Sequence, residues 1–148
     1  MHWQRSSAGF AYEEYNRDHE WVFEGGIRVA ASAATQFLGT AGRVDPEEAF
    51  VASVASCHML TFLAICARKR LVVDRYADRA IGYLEKNDAG RLAVIRVELS
   101  PKIVFGGEAP ADDVIDRIHH QSHRECFIAN SIRTEVVVLA SSPAPGAR

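Results

Sequence analysis

Two cysteines stand where redox chemistry could use them. Cys57 lies in the middle of "DPEEAFVASVASCHMLTFLAIC", Asp45 to Cys66, an almost uncharged run, with His58 directly after it. Cys126 closes "VIDRIHHQSHREC", beside His123 and Arg124. A nucleophilic thiol must ionise, and a second thiol within reach lets its oxidation stop at a reversible disulfide. The third cysteine, Cys66, follows Cys57 by nine residues, which on a helix is the opposite face. It reads as a small buried hydrophobe. There is no CxxC pair and no glycine-rich phosphate loop.

The elements that must position these thiols can be read from local signals. Asp45 is a natural N-cap, Pro46 suits the first helical position, and Glu48 completes a capping box three residues on. The long central helix should run to Arg68–Arg70, where basic residues complement the negative end of the helix dipole. Before it, "HEWVFEGGIRVAASA" predicts two strands about Gly25-Gly26. After it, "VVDRYADRAIGYLEK" and "RLAVIRVELSPKIVF" predict a β-hairpin joined by "NDAG". A second helix, with Pro110 near its start and Asp112 and Asp113 in its first turn, should end at Cys126. Its face of Ile115, Ile118, Ser122 and Cys126 points inward, while "HHQSH" reads as solvated. "SIRTEVVVLA" predicts a C-terminal strand. The order gives an α+β fold in one domain over residues 1–140, with 141–148 a disordered tail.

Composition bounds the function. The 148 residues are 48% hydrophobic and 24% charged, which fits a globular domain. A net charge of −2 gives no electrostatic case for nucleic acid or an anionic membrane. "MHWQRSSAGF" lacks the apolar segment of a secretory signal, so the expected compartment is the cytoplasm, where thiols stay reduced. Residues 49–67 carry no charge and have about the length of a bilayer span. Ser53, Ser56, His58 and Thr61 interrupt the run, so a core helix partly covered by a second subunit is the better reading.

Position also separates the two thiols. Cys126 near a helix C-terminus meets partial negative charge, which disfavours a thiolate; mid-helix Cys57 is the better attacker, provided a cation arrives from elsewhere.

"VDPEEAFVASVASCH" and "HRECFIANSI" resemble the two cysteine motifs of the osmotically inducible protein C and organic hydroperoxide resistance (OsmC/Ohr) family. The family's Glu-to-Cys spacing of ten is met by Glu47 and Cys57, and its H-x-x-C pattern by His123 and Cys126. The resemblance extends over about 15–139 and implies two interlocked chains, hence a homodimer. It also implies a thiol peroxidase acting on organic hydroperoxides, without cofactor or metal. Cys57 would attack the peroxide, Cys126 would resolve the product to a disulfide, and an external dithiol, a lipoyl-type carrier being one candidate, would reduce it. The family pattern further implies an activating arginine on an N-terminal segment, Arg17 or in reserve Arg28, held by Glu47. Ten helical residues span about 15 Å. If Glu47 and Cys57 both serve one small site, the glutamate and its arginine therefore come from the partner chain. Apolar Phe50, Met59, Phe62 and Phe127 are the expected binding wall for a hydroperoxide tail.

The sequence departs from the hydroperoxide resistance branch in having Phe-Ile-Ala-Asn where that branch has Pro-Tyr-Ser after the second cysteine. It therefore resembles an outlying OsmC-like group. Two rival readings follow. One is a binding or stress-response module that uses Cys57 only for packing. The other is a metal protein, since His119, His123 and Cys126 share one helical stripe.

Overall fold

Helix α1, Pro46–Arg68, is the element from which the site is built. Its start follows the capping box. The Glu48 amide donates to Asp45 Oδ1 at 2.8 Å, and Glu48 Oε2 lies 3.4 Å from the Asp45 amide. Its end is set by backbone rather than by charge alone. Arg70 takes a left-handed φ of 59°, where a glycine would be usual. The Leu71 amide then returns to the Cys66 carbonyl at 2.9 Å and Arg70 to Ala67 at 3.0 Å, a Schellman arrangement.

The computed structural model describes residues 1–139, so the expected tail at 141–148 lies outside the described residues. The chain divides into two compact units, Met1–Phe50 and Val51–Arg148.

The first unit holds a three-stranded antiparallel sheet of β1 (His2–Trp3), β2 (His19–Val22) and β3 (Arg28–Ala31) in the order β1-β2-β3. The β2–β3 hairpin pairs Val22 with Arg28 around a turn in which Gly26 has φ 79°, a conformation only glycine adopts freely. Strand β1 carried no periodic signal, being two residues long. It is fixed by a side chain: Trp3 Nε1 donates to the Asn16 carbonyl at 2.7 Å.

In the second unit each predicted β run is broken in two. The first becomes β4 (Val73–Asp78) and β5 (Ile81–Lys86), the second β6 (Leu92–Leu99) and β7 (Pro101–Phe105). The breaks face each other, because the Ser100 amide donates to Asp78 Oδ1 at 2.7 Å. As a result β4 pairs with β7 in one sheet, while β5 pairs with β6 in another. The last strand, β8 (Glu135–Val138), joins the second sheet parallel to β6. Helix α2 covers Asp112–Glu125.

Apolar packing follows the helix period. The buried stripe of α1 is Val54, His58, Phe62, Ile65 and Cys66, and Phe62, Ile65 and Cys66 form a core with Ile118 of α2. Leu71, Val73, Tyr76, Ile103 and Phe105 pack around it from the adjoining strands. Cys66 thus occupies the structural position its spacing from Cys57 predicts, and burial raises its pKa. The rest of α1 is less covered than a core helix: Ser53, Ser56, Leu60 and Ala64 form an exposed, uncharged stripe in the single chain. By length and composition α1 could also cross a membrane, a test that core helices of this kind pass as well.

Candidate active site

Cys57 lies half-buried on α1, one residue off the core stripe. Its partner arrives from the end of α2. Cys126 is the C-cap of that helix, with φ −70° and ψ 116°, so the chain leaves the helix at the thiol rather than after it. Both are free thiols, close enough for each to shift the other's pKa. After Cys126 the chain makes a tight turn. The Asn130 amide N–H donates to the Cys126 carbonyl at 3.1 Å and that of Ser131 to Ile128 at 2.9 Å. The turn brings Phe127 and Ile128 to the cavity that Cys57 lines, and the Ala129 N–H donates to Cys126 Sγ at 3.4 Å.

These contacts set the thiol acidities. Burial acts to raise Cys57, but the Cys126 thiol, the Ile128 and Phe127 amides and the Thr61 hydroxyl together outweigh it and hold its pKa below that of an ordinary thiol. The Thr61 hydroxyl has one proton to give, and it also lies 2.8 Å from the Cys57 carbonyl, so its help to the sulfur is the most conditional. Cys126 shifts the opposite way: burial, then the neighbouring Cys57, raises it. One thiol is therefore poised to ionise while the other keeps its proton and donates it. Within this unit the groups that lower the Cys57 pKa are hydrogen-bond donors.

Cys57 opens onto a cavity of about 880 Å³. Leu60, Ala64, Phe127 and Ile128 give it an apolar wall, while Arg68, Arg124 and Glu125 line its rim. Phe127 is 83% exposed, which leaves its ring open to a bound molecule. Of the other expected wall residues, Phe62 is fully buried in the core and lines no part of this cavity, because its helical position falls on the inner stripe. Met59 does not line it either, and Phe50 belongs to the first unit. Leu60 takes the place assigned to them; its spacing of three from Cys57 was the available signal.

Arg17 and Glu47 both belong to the first unit. There Arg17 stacks on the Tyr15 ring at 4.1 Å and the Tyr12 ring at 5.0 Å, and donates to the carbonyls of Tyr15 at 2.9 Å and Tyr12 at 2.6 Å. No ion pair joins it to Glu47 among the described residues. It lines an aromatic cavity of about 570 Å³ with Trp3, Phe10, Tyr15 and Pro46. Arg28, the reserve candidate, is an exposed strand residue paired with Glu20.

The histidine stripe is taken apart by the fold. Cys126 is turned to Cys57, and His119 is buried rather than solvated, 5% exposed, with its Nδ1 3.0 Å from His58 Nε2. The rings stack at 5.3 Å, and His119 stacks in turn on Phe62 at 4.5 Å. Burial, then the charge of His119, lowers His58 to about 4; burial lowers His119 to about 4 as well, with Asp116 opposing and His120 assisting. Among the described residues no three His, Cys, Asp or Glu side chains group in a way that could hold a metal ion.

The family model for OsmC-like proteins matches residues 39–140. An OsmC-like protein of unknown function from Vibrio cholerae is similar over 93% of both chains, with 45% identity and a TM-score of 0.89. The organic hydroperoxide resistance protein OsmC of Legionella pneumophila shares the fold at 17% identity, with a TM-score of 0.69 over 86% of this chain and 90% of that one. An organic hydroperoxide resistance protein from Elizabethkingia anophelis does so at 15% identity, with a TM-score of 0.68 over 82% of this chain and 85% of that one. No functionally curated protein sequence matches the chain. With a family model covering more than half of its length, the chain belongs to the OsmC-like family.

Proposed function

We propose that this protein is a thiol peroxidase for organic hydroperoxides, with Cys57 as nucleophile and Cys126 as resolving thiol. The observation that carries the proposal is the pair itself: a thiol with a lowered pKa, close to one with a raised pKa, at the mouth of a largely apolar cavity. In the first step the Cys57 thiolate attacks one peroxide oxygen. The S–O bond forms, the O–O bond breaks, and the alcohol leaves after taking up a proton. In the second step Cys126 attacks the resulting sulfenic acid; an S–S bond forms and the hydroxyl leaves as water with the Cys126 proton. Two electrons from an external dithiol return both thiols.

The proposal includes a homodimer. A second copy would cover the uncharged stripe of Ser53, Ser56, Leu60 and Ala64. The ten-residue spacing of Glu47 and Cys57 then makes the partner the source of any Glu47–Arg17 contribution to the thiolate. A substrate tail placed on Leu60, Phe127 and Ile128 would lose water contact. Burying ~100 Å² of apolar surface contributes roughly 2.5 kcal/mol that hydrogen peroxide cannot gain.

Steady-state kinetics with a dithiol reductant test the proposal, on protein whose sedimentation is measured at micromolar concentration. The dimer should turn over cumene hydroperoxide with kcat/KM at least about tenfold above that for hydrogen peroxide. Equal values would remove the tail-binding cavity from the account, a folded monomer would remove the dimer, and absence of turnover would favour a binding module.

A further inference from the structure

A separate cavity of about 610 Å³ opens where the β5–β6 hairpin meets the segment leading into β8, and it shares no lining residue with the cavity at Cys57. Its walls are held by local bonds. In the turn, Asn87 Oδ1 accepts from the Ala89 amide at 3.0 Å and the Arg91 amide at 3.1 Å, and the Asn87 amide donates to the Arg91 carbonyl at 2.9 Å. On the other wall the Thr134 hydroxyl donates to the Val94 carbonyl at 2.8 Å, which ties the chain before β8 to β6. Between these walls β6 carries a bulge. Tyr83 pairs with Arg96 and Leu84 with Val94, so Ile95 is an extra residue in the ladder. A bulge bends its strand, and bulges recur beside binding sites. Three cations line the cleft: Lys86 at the end of β5, Arg91 in the turn, and Arg133 before β8. None of them makes an ion pair or a side-chain hydrogen bond among the described residues. Asp88 is the one acid among the lining residues. Three cations and one carboxylate give the cleft a net charge of +2, in a chain whose net charge is −2. Gathering like charges costs electrostatic energy that a bound anion would recover.

We propose that this cleft binds a small phosphate monoester, its phosphoryl group held by Lys86, Arg91 and Arg133 and its organic part laid over half-buried Val94 and Ile95. A phosphate monoester carries a charge of about −1.5 to −2 at neutral pH, which matches the net charge of the cleft. An arginine fork pairs with two oxygens and a lysine acts as a point charge. Three such cations suit the three terminal oxygens of a phosphoryl group better than the two of a carboxylate. The cleft is concave and falls within the roughly 300–1,000 Å³ of small-molecule sites, which favours a small ligand over a macromolecular surface. Neither Cys57 nor Cys126 takes part, so the site stands whether or not the protein is a peroxidase.

Calorimetric titration of the full chain with phenyl phosphate tests this, in phosphate-free buffer at about 0.1 M salt, where distant surface charges are screened. Phenyl phosphate should bind at one site per chain. Benzoate, with one charge and two oxygens, should bind at least about tenfold more weakly. Inorganic phosphate, which lacks an apolar part, should also bind more weakly than phenyl phosphate. Arg133→Gln and Arg91→Gln should each weaken phenyl phosphate by about tenfold or more, the worth of a hydrogen bond between charged groups. Both side chains are exposed, so the variants should fold. Thermal melting checks this, and either folded variant decides. Two further variants remove an equal charge elsewhere. Lys102→Gln does so on β7, outside the cleft, and Arg124→Gln at the Cys57 cavity. Each should change the affinity by less than about twofold. No measurable binding of phenyl phosphate would overturn the proposal. So would an equal loss in Lys102→Gln and Arg133→Gln, which means diffuse attraction only, or a loss confined to Arg124→Gln, which places the ligand at Cys57. Benzoate bound as tightly as phenyl phosphate would overturn the choice of a phosphate ester.

Discussion

Helix α1 presents two neighbouring titratable residues to the second helical segment, and the two pairs they form behave in opposite ways. Cys57, which lines a cavity, is paired with buried Cys126 at the C-cap of α2. His58 meets His119 inside α2, stacked against Phe62, with His58 Nδ1 and His119 Nε2 buried and without partners. Burial alone pushes a thiol up and an imidazole down, in each case toward the neutral form. The histidine pair obeys that rule, and both members stay uncharged at neutral pH. At the cysteine pair donors overrule it for one member, and the proton is left on the other. Reactivity here is a matter of supplied donors and access, not of burial or of proximity between like groups.

That comparison can be broken most sharply at the cysteines. Cys57→Ser should reduce hydroperoxide consumption to background, because a hydroxyl is a far weaker nucleophile than a thiolate. Cys126→Ser should consume one equivalent and stall at the sulfenic acid. Cys126→Ala removes the leading hydrogen bond on Cys57 entirely, so its first equivalent should also be consumed more slowly near neutral pH. Stopped-flow consumption in the three variants checks all of these; a Cys57→Ser protein that still turns over would reassign the nucleophile.

The histidine pair predicts a smaller, thermodynamic effect. Both histidines have pKa values lowered from 6.5 to about 4 in the folded chain. The unfolded chain therefore binds protons that the folded chain refuses, and unfolding is favoured as pH falls. The pair's penalty is absent above the unfolded value near 6.5, grows between 6.5 and 4, and levels off below 4. In that window stability should fall by up to about 1.4 kcal/mol per pH unit for each histidine. Urea unfolding of wild type and of His58→Leu/His119→Leu, at pH 7 and pH 5, measures it. The double variant should show a flatter dependence, and equal slopes would show that other groups govern acid sensitivity.

Where the sequence was legible, the signal was local. Asp45, Pro46 and Glu48 are close in the chain and form the cap their order predicts. Gly26 turns the β2–β3 hairpin with a φ of 79°, as the Gly25-Gly26 pair predicts. What could not be read depends on partners distant in sequence. The burial of His119 requires His58, 61 residues away. The two breaks in the β runs require Asp78 and Ser100 to meet across 22 residues. Leu60, rather than the expected Phe62, lines the cavity because a helix run this uniformly apolar gives no face to prefer until α2 is in place. Two of the groups that lower the Cys57 pKa, at Phe127 and Ile128, are backbone amides, identical in type at every non-proline position. The trace they leave in the sequence is the lack of proline at 127 and 128.

The proposed peroxidase requires Cys57 and Cys126 to form one redox pair, and intact-mass analysis with peptide mapping addresses that directly. Reduced protein treated with one equivalent of cumene hydroperoxide should lose two hydrogens, fall from three free thiols to one, and yield a linked Cys57–Cys126 peptide with Cys66 still alkylatable. Protein that instead keeps all three thiols, adds oxygen irreversibly at Cys57, or links through Cys66 would contradict the pairing on which the proposed peroxidase depends.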